Sequence, residues 1–472
     1  MYEAVIGLEI HAELKTKSKI YCGCKNSFGA KPNTQVCPIC MGLPGALPSL
    51  NKKVVDLAIK AGLALSCNIL KKSKQDRKNY FYPDLPKAYQ ISQSDLPLCS
   101  KGYIELNDKK INIARIHIEE DAGKLIHNEN NITTIDFNRC GVPLIEIVTE
   151  PDISSGSEAV AFLEALKEIL EYEEISDCKM QEGSLRCDIN VSLHSVGSDT
   201  LGTRCEIKNL NSFTAVKAAI DYEIERQSNI LNSGKNVRQE TRRWDEKSKT
   251  TVLMRSKEEC SDYRYFPEPD LLPILITDEQ IENIRATLTE LPKERRNKYI
   301  NCYKLSEYDA KILTSQKTLS NFFESCVALG SNPKNTANWL MGEVLKVLKE
   351  NSLTFEKIPF SPDCFTEFLS LIDNGIISIS AAKTVLSYMF KEPKNPKKIV
   401  TDLKLAQISD ENEIRAIVDR VILNNTKSVE DYKNGNSRAF GFLIGEAMKL
   451  SGGRANPKIL NDILTQALNN QR

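Results

Sequence analysis

Along residues 5–14, V-I-G-L-E-I-H-A-E-L, apolar and polar positions alternate. Ile6, Leu8, Ile10, Ala12 and Leu14 share one face, and Glu9, His11 and Glu13 share the other. A period of two is that of a strand with one face buried. Similar stretches recur at 103–118, 132–137, 143–149, 184–194 and 203–209, while spacings of three and four predict helices near 51–66, 157–172 and 211–233. Strands interrupted by helices at irregular intervals predict an α+β fold with a largely antiparallel sheet, not a regular βαβ array. The connecting segments are long and rich in Pro, Asn and Tyr, as functional loops are. After E-P-D-L-L-P-I-L-I (268–276) the period becomes helical through 278–350 and 361–390. K-E-P-K-N-P-K-K (391–398) reads as a linker before a last helical unit. The expected domains are 1–290 (strand-rich), 291–405 (helical) and 406–472 (a small helical tail).

Several broad classes drop out on totals. Lys plus Arg equals Asp plus Glu at 63 each, so any nucleic-acid contact is confined to part of the surface. No apolar run reaches the roughly 18–20 residues of a membrane span, and no leader pattern opens the chain; a cytoplasmic protein without a membrane partner is expected. Of the fourteen cysteines, most are scattered singly, which predicts reduced, buried thiols. The exception is Cys22-Gly-Cys24, twelve residues, then Cys37-Pro-Ile-Cys40. Two close pairs around a loop match a tetrahedral zinc site; four thiolates leave no open coordination position, so the expected role is a structural staple.

Two further strands resemble the first. In I-N-I-A-R-I-H-I-E-E-D (111–121) Arg115, His117 and Glu119 oppose an apolar face, and in V-P-L-I-E-I-V-T-E-P (142–151) Glu146 and Glu150 do the same. One such face is ordinarily just wet. Three of them, in a chain with four histidines, predict an oxygen-rich site with one imidazole, suited to Mg²⁺ or Mn²⁺. No G-x-x-x-x-G-K-[ST] and no G-x-G-x-x-G after a strand is present, so a nucleotide would be held by metal and by basic side chains. Candidates are Arg115, Arg186, Lys208, Arg255 and Arg264, though each taken alone reads as a surface salt-bridge residue. In D-R-K-N-Y-F-Y-P-D-L-P-K-A-Y-Q-I-S-Q (76–93) the aromatics either stack bases or pack onto the sheet.

Together with E-E-D-A-G-K, I-D-F-N-R-C-G-V-P-L-I-E-I-V-T-E-P-D, E-G-S-L-R-C-D-I-N-V-S-L, E-I-K-N-L-N-S-F and D-Y-R-Y-F-P-E-P-D, these stretches occur in an order that resembles the GatB family, the B subunits of tRNA-dependent amidotransferases. The C-terminal D-Y-K-N-G…A-N-P element resembles that family's tail, so the likeness runs the whole length. The resemblance implies a cradle domain similar to glutamine synthetase and an ATP-dependent step on misacylated Glu-tRNA(Gln) or Asp-tRNA(Asn). There the side-chain carboxylate becomes an acyl phosphate, which is then attacked by ammonia made by the GatA-type amidase partner. A small GatC-type partner would tie the large chains together. It implies a Mg²⁺ or Mn²⁺ site on His11, Glu146 and a glutamate of E-E-D-A-G-K, taken as Glu119 over Glu120 on strand parity, with Glu9 as companion and Glu13 a solvated carboxylate. It also implies that the tail contacts tRNA. The alternative is a non-catalytic tRNA-binding scaffold of the same complex.

Overall fold

The computed structural model describes residues 2–106, 109–127, 132–198, 200–256, 263–392 and 394–469, with the side chains of Arg255 and Ser256 excepted. The chain divides into two compact units, Met1–Pro292 and Lys293–Arg472.

The first unit is built on a nine-stranded sheet. In chain order its strands are β1 (Tyr2–Glu13), β2 (Asn68–Ile69), β3 (Cys99–Leu106), β4 (Lys109–Glu120), β5 (Pro143–Thr149), β6 (Leu185–Ser195), β7 (Cys205–Lys208), β8 (Glu240–Asp245) and β9 (Thr250–Ser256). Across the sheet they run β9-β8-β7-β6-β1-β5-β4-β3-β2. Every pairing is antiparallel except β7 with β8. The first strand of the chain therefore lies at the sheet's middle. Mixed α+β with a mostly antiparallel sheet is the expected class.

One face of the sheet is dry. Ile6, Leu8 and Ile10 of β1, Ile116 and Ile118 of β4, Ile145 and Ile147 of β5, and Ile189 and Val191 of β6 form one core with α1 (Lys52–Ala64), α2 (Gly156–Tyr172) and α3 (Phe213–Asn232). Each helix starts where a side-chain oxygen accepts an otherwise orphaned backbone N–H: Asn51 from Lys53, Ser155 from Glu158 and Ser212 from Ala215. All three helices thus pack on one side, and the alternate residues of every strand are left on an open face.

Two details depart from the periodicity reading. The stretch 103–118 is not one strand but parts of two antiparallel ones, β3 and β4. Periodicity also does not predict the β8–β9 hairpin, because E-T-R-R-W-D and T-T-V-L-M-R-S lack a clean apolar stripe at the sheet's edge.

The second unit is helical across its described residues. It holds two separate cores, one around Phe323, Phe365 and Phe368 and one around Val418, Leu443 and Leu464.

Candidate active site

Strand register brings the three polar faces together. His11 on β1 is opposite Glu146 on β5, and Glu146 is in turn opposite His117 on β4, so the three stand in one row across the sheet. Glu119 lies one same-face step along β4, opposite Leu144. His11 Nε2 sits 3.3 Å from Glu119 Oε1 and 3.2 Å from Glu146 Oε2. His117 Nε2 approaches the same carboxylates at 3.6 and 3.5 Å. Ser92 Oγ donates to Glu119 Oε2 at 3.2 Å. One ligand atom each from His11, Glu119 and Glu146 lies within 4.8 Å of the others.

The electrostatics explain what such a site wants. Burial would raise Glu119 and Glu146 and lower His11. The imidazoles outweigh burial and hold both carboxyls below the usual range, and the two carboxylates push His11 up to about 10. The pocket's negative potential thus already attracts one positive charge, and a cation suits it for the same reason. Two carboxylates and one nitrogen are a hard donor set, which fits Mg²⁺ or Mn²⁺ better than zinc.

The neighbouring acids are spoken for. Glu120 accepts from Lys87 Nζ and from the Ile91 N–H. Asp121 accepts from Arg186 at 2.8 Å and has Arg139 at 3.5 Å. Glu13 is not a solvated carboxylate: burial first, and then Asp121, push its carboxyl up to about 7 against Arg186 and Arg139. It belongs to the Asp121 cluster one step beyond the site, which the strand pattern could not reveal.

The site forms the bottom of a depression of about 690 Å³ on the open face. Glu9, Arg115, Arg186 and Lys208 also line it, so most of the expected residues converge. Arg115 stands 3.9 Å from Glu146 Oε1. Arg186 is committed to Asp121, and Lys208 is held by Asp188 and by Glu206 at 2.9 Å. Glu9 accepts from Asn190 Nδ2 at 3.0 Å. Arg264 is exposed and does not line the depression, and the side chain of Arg255 lies outside the described residues.

Sequence reasoning set His117 on the polar face of its strand without giving it a role, and it missed Lys78 as a site residue. Lys78 lines the depression; burial disfavours its charge, but Glu119, Tyr265 and Glu146 together raise its pKa. Its Nζ lies 5.0 Å from the Tyr263 ring centroid, and Tyr80 packs edge-on against Tyr263 at 5.9 Å. The signal was its place in D-R-K-N-Y, with alternation too short to assign a face. Among the aromatics of that stretch, Tyr80 walls the depression, Tyr89 packs under Arg77 at 4.2 Å, and Phe81 and Tyr82 are exposed.

Away from the sheet, thiol sulfurs of Cys22, Cys24, Cys37 and Cys40 converge within 4.8 Å. Hydrogen bonding from Cys22, the backbone N–H of Cys37 and the charge of Lys19 pull the Cys40 thiol down to about 5 against burial. Lys19 is fully buried, its Nζ 2.7 Å from the Gln35 carbonyl and 3.7 Å from Cys40 Sγ. A buried ammonium needs a negative partner, and a thiolate cluster supplies one. Four sulfur donors with no other group among them fit a closed zinc site.

Comparison with known proteins gives matches along most of the chain. Residues 4–282 match the family model described as the GatB/GatE catalytic domain, and residues 321–468 match the one described as the GatB domain. The B subunit of the aspartyl/glutamyl-tRNA(Asn/Gln) amidotransferase of Thermoanaerobacter sp. (strain X514) is 58% identical over 471 residues, covering 99% of each chain. The protein of the same name from Caldanaerobacter subterraneus is also 58% identical, over 99% of each chain. The B 1 subunit from Clostridium acetobutylicum is 52% identical over the full length of both. No helix among the described residues is long and apolar enough to cross a membrane.

Proposed function

This chain belongs to the GatB family, the B subunits of aspartyl/glutamyl-tRNA(Asn/Gln) amidotransferases, and on that premise we propose that the open face of its sheet is where the substrate carboxylate is activated. The protein is the catalytic B subunit of a glutamine-dependent amidotransferase, a ligase of protein biosynthesis that converts Glu-tRNA(Gln) and Asp-tRNA(Asn) to Gln-tRNA(Gln) and Asn-tRNA(Asn). The family description of residues 4–282 as catalytic leaves no room for the scaffold alternative.

A carboxylate is a poor electrophile. Moving the γ-phosphoryl group of ATP onto its oxygen gives ADP and an acyl phosphate; ammonia then forms the C–N bond and phosphate leaves. His11, Glu119 and Glu146 would hold the divalent cation, which when bound neutralises phosphate charge during transfer. Lys78 brings a second positive charge to the same depression. Arg115 is the other basic group near Glu146 and is half exposed, so it can turn toward a phosphate. Arg186 and Lys208 act at one remove, fixing Asp121 and Asp188 in the walls. The Cys22–Cys40 loop would carry zinc as a staple. Residues 406–472 would form the tRNA-binding tail. A GatA-type amidase would supply ammonia and a small GatC-type chain would hold the assembly together, all in the cytoplasm.

The observation that carries the reading is the pair of buried carboxylates, Glu119 and Glu146. Among the described residues, their only charged partners within ion-pair distance besides Arg115 are two imidazoles. In the assembled complex, His11→Ala and Glu146→Ala should each lower Glu-tRNA-dependent ATP hydrolysis by about 100-fold or more, while glutaminase activity persists. ATP turnover surviving both changes would overturn the assignment.

A further inference from the structure

Of the acidic side chains lining the depression, all but one are paired. Glu119 and Glu146 meet the two imidazoles. Asp121 accepts from Arg186, and Glu9 accepts from Asn190. Asp188 and Glu206 share Lys208. Asp84 is the exception. It is half-buried, and its carboxylate makes no hydrogen bond or ion pair to another residue among those described. Burial raises this carboxyl above the usual range; Asp121 adds to the shift, while its own backbone N–H and Arg139 oppose it.

The backbone around Asp84 is firmly held. In Tyr82-Pro83-Asp84-Leu85 the Leu85 N–H donates to the Tyr82 carbonyl at 3.0 Å, and Pro83 fills the second position of that turn, where its fixed φ fits. Leu85 is buried, and Pro86 opens a second turn, closed by the Ala88 N–H on the Leu85 carbonyl at 3.0 Å. The Asp84 carbonyl accepts from the Gly123 N–H at 2.8 Å and from Cys140 Sγ at 3.6 Å. A Cβ at Gly123 would stand 3.1 Å from that same oxygen, so a glycine there eases the close approach. The side chain of Asp84 takes no part in holding its own turn. Tyr80 lines the same depression, and burial pushes its phenol up to about 12, with Glu119 and Asp84 adding to the shift and Lys78 opposing it. One hydroxyl thus feels both the metal-site carboxylate and the unpaired one.

We propose that Asp84 receives a primary ammonium group of the reaction; the proposal rests on the function read above. An ammonium brings a full positive charge and several N–H donors, which a carboxylate with unspent acceptor capacity matches. The other reacting groups are anionic: the substrate carboxylate and the phosphates belong with the cation site, Lys78 and Arg115. The reaction offers an ammonium from two sources. One is the α-ammonium of the aminoacyl ester, the cationic group of the reacting amino acid. The other is the protonated form of ammonia, which must lose a proton before its nitrogen bonds the acyl carbon and phosphate leaves. Both carry the same chemistry to Asp84.

Asp84→Asn in the assembled complex tests this, because the amide keeps the shape of the carboxylate and removes its charge. Two readouts separate the sources. ATP hydrolysis is measured with tRNA(Gln) bearing glutamate and with tRNA(Gln) bearing glutarate, the same diacid without the amino group. Amide formation is measured with ammonium chloride in place of glutamine. With the α-ammonium on Asp84, the variant lowers kcat/KM for the glutamate ester by about tenfold or more and leaves the glutarate ester unchanged. With the nucleophile's ammonium there, KM for ammonium chloride rises by a similar factor while ATP hydrolysis on both esters holds. No change in either readout overturns the proposal. So does an equal loss on both esters with KM for ammonium unaltered, the pattern a distorted turn would give. A melting curve checks the fold, and Asp84→Ser supplies the same comparison should the asparagine variant melt low. A wild-type complex without tRNA-dependent ATP hydrolysis would sink the function itself; normal wild-type turnover with unresponsive Asp84 variants would sink only this role of Asp84.

Discussion

Glu119 and Glu120, adjacent at the end of β4, do different work because successive side chains of a strand point to opposite faces. Glu119 joins His11 and Glu146, whereas Glu120 is neutralised by Lys87. Glu119→Gln should therefore lower tRNA-dependent ATP turnover by about 100-fold with little change in melting. Glu120→Gln leaves Lys87 buried without its anion and should cost about 3 kcal/mol of stability, read by denaturant unfolding. The reverse pattern would exchange their roles. Glu158, at the start of α2, shows a charge whose value depends on pH. Burial would raise its carboxyl, but Lys109 at 2.7 Å and the Ser154 N–H at 2.7 Å outweigh it and hold it low. A depressed acid stabilises the fold above its unfolded pKa, and the contribution is lost as pH falls through the folded value. Glu158→Gln should cost about 0.5–1 kcal/mol at pH 7, with the difference from wild type closing in acid. A gap unchanged at low pH would mean that charge is not the cause.

Elements differ in how far local sequence explains them. α1, α2 and α3 carry their own caps and apolar faces, so they are legible in the chain. β1 and β6 are legible because each alternates over most of its length, whereas β5 is buried at nearly every position and shows its polar face only at Glu146. The segment 22–40 has neither period. It contains no helix and no multi-residue strand, and its order rests on short turns and on four converging sulfurs. Stripping zinc with a chelator should lower the melting temperature by ~5 °C or more and leave ATP turnover at low temperature nearly intact. An unchanged melting curve after verified metal loss would count against a staple.

At the scale of the whole molecule, the sequence by itself determined the class of fold and, for the strands that alternate, the buried face and the set of side chains on the other face. Those follow from periods of two and 3.6, which burial imposes locally. It also determined the family, because its motifs stand in one order along the chain. Only the tertiary structure decided which open-face residues meet. Strand order put β1 between β5 and β6, so residues more than a hundred positions apart became neighbours. Long-range register then turned Arg186 toward Asp121 and Lys208 toward Asp188, and set Lys78 in the wall of the same depression. Pairing partners across a sheet depend on contacts distant in sequence, and no local period encodes them.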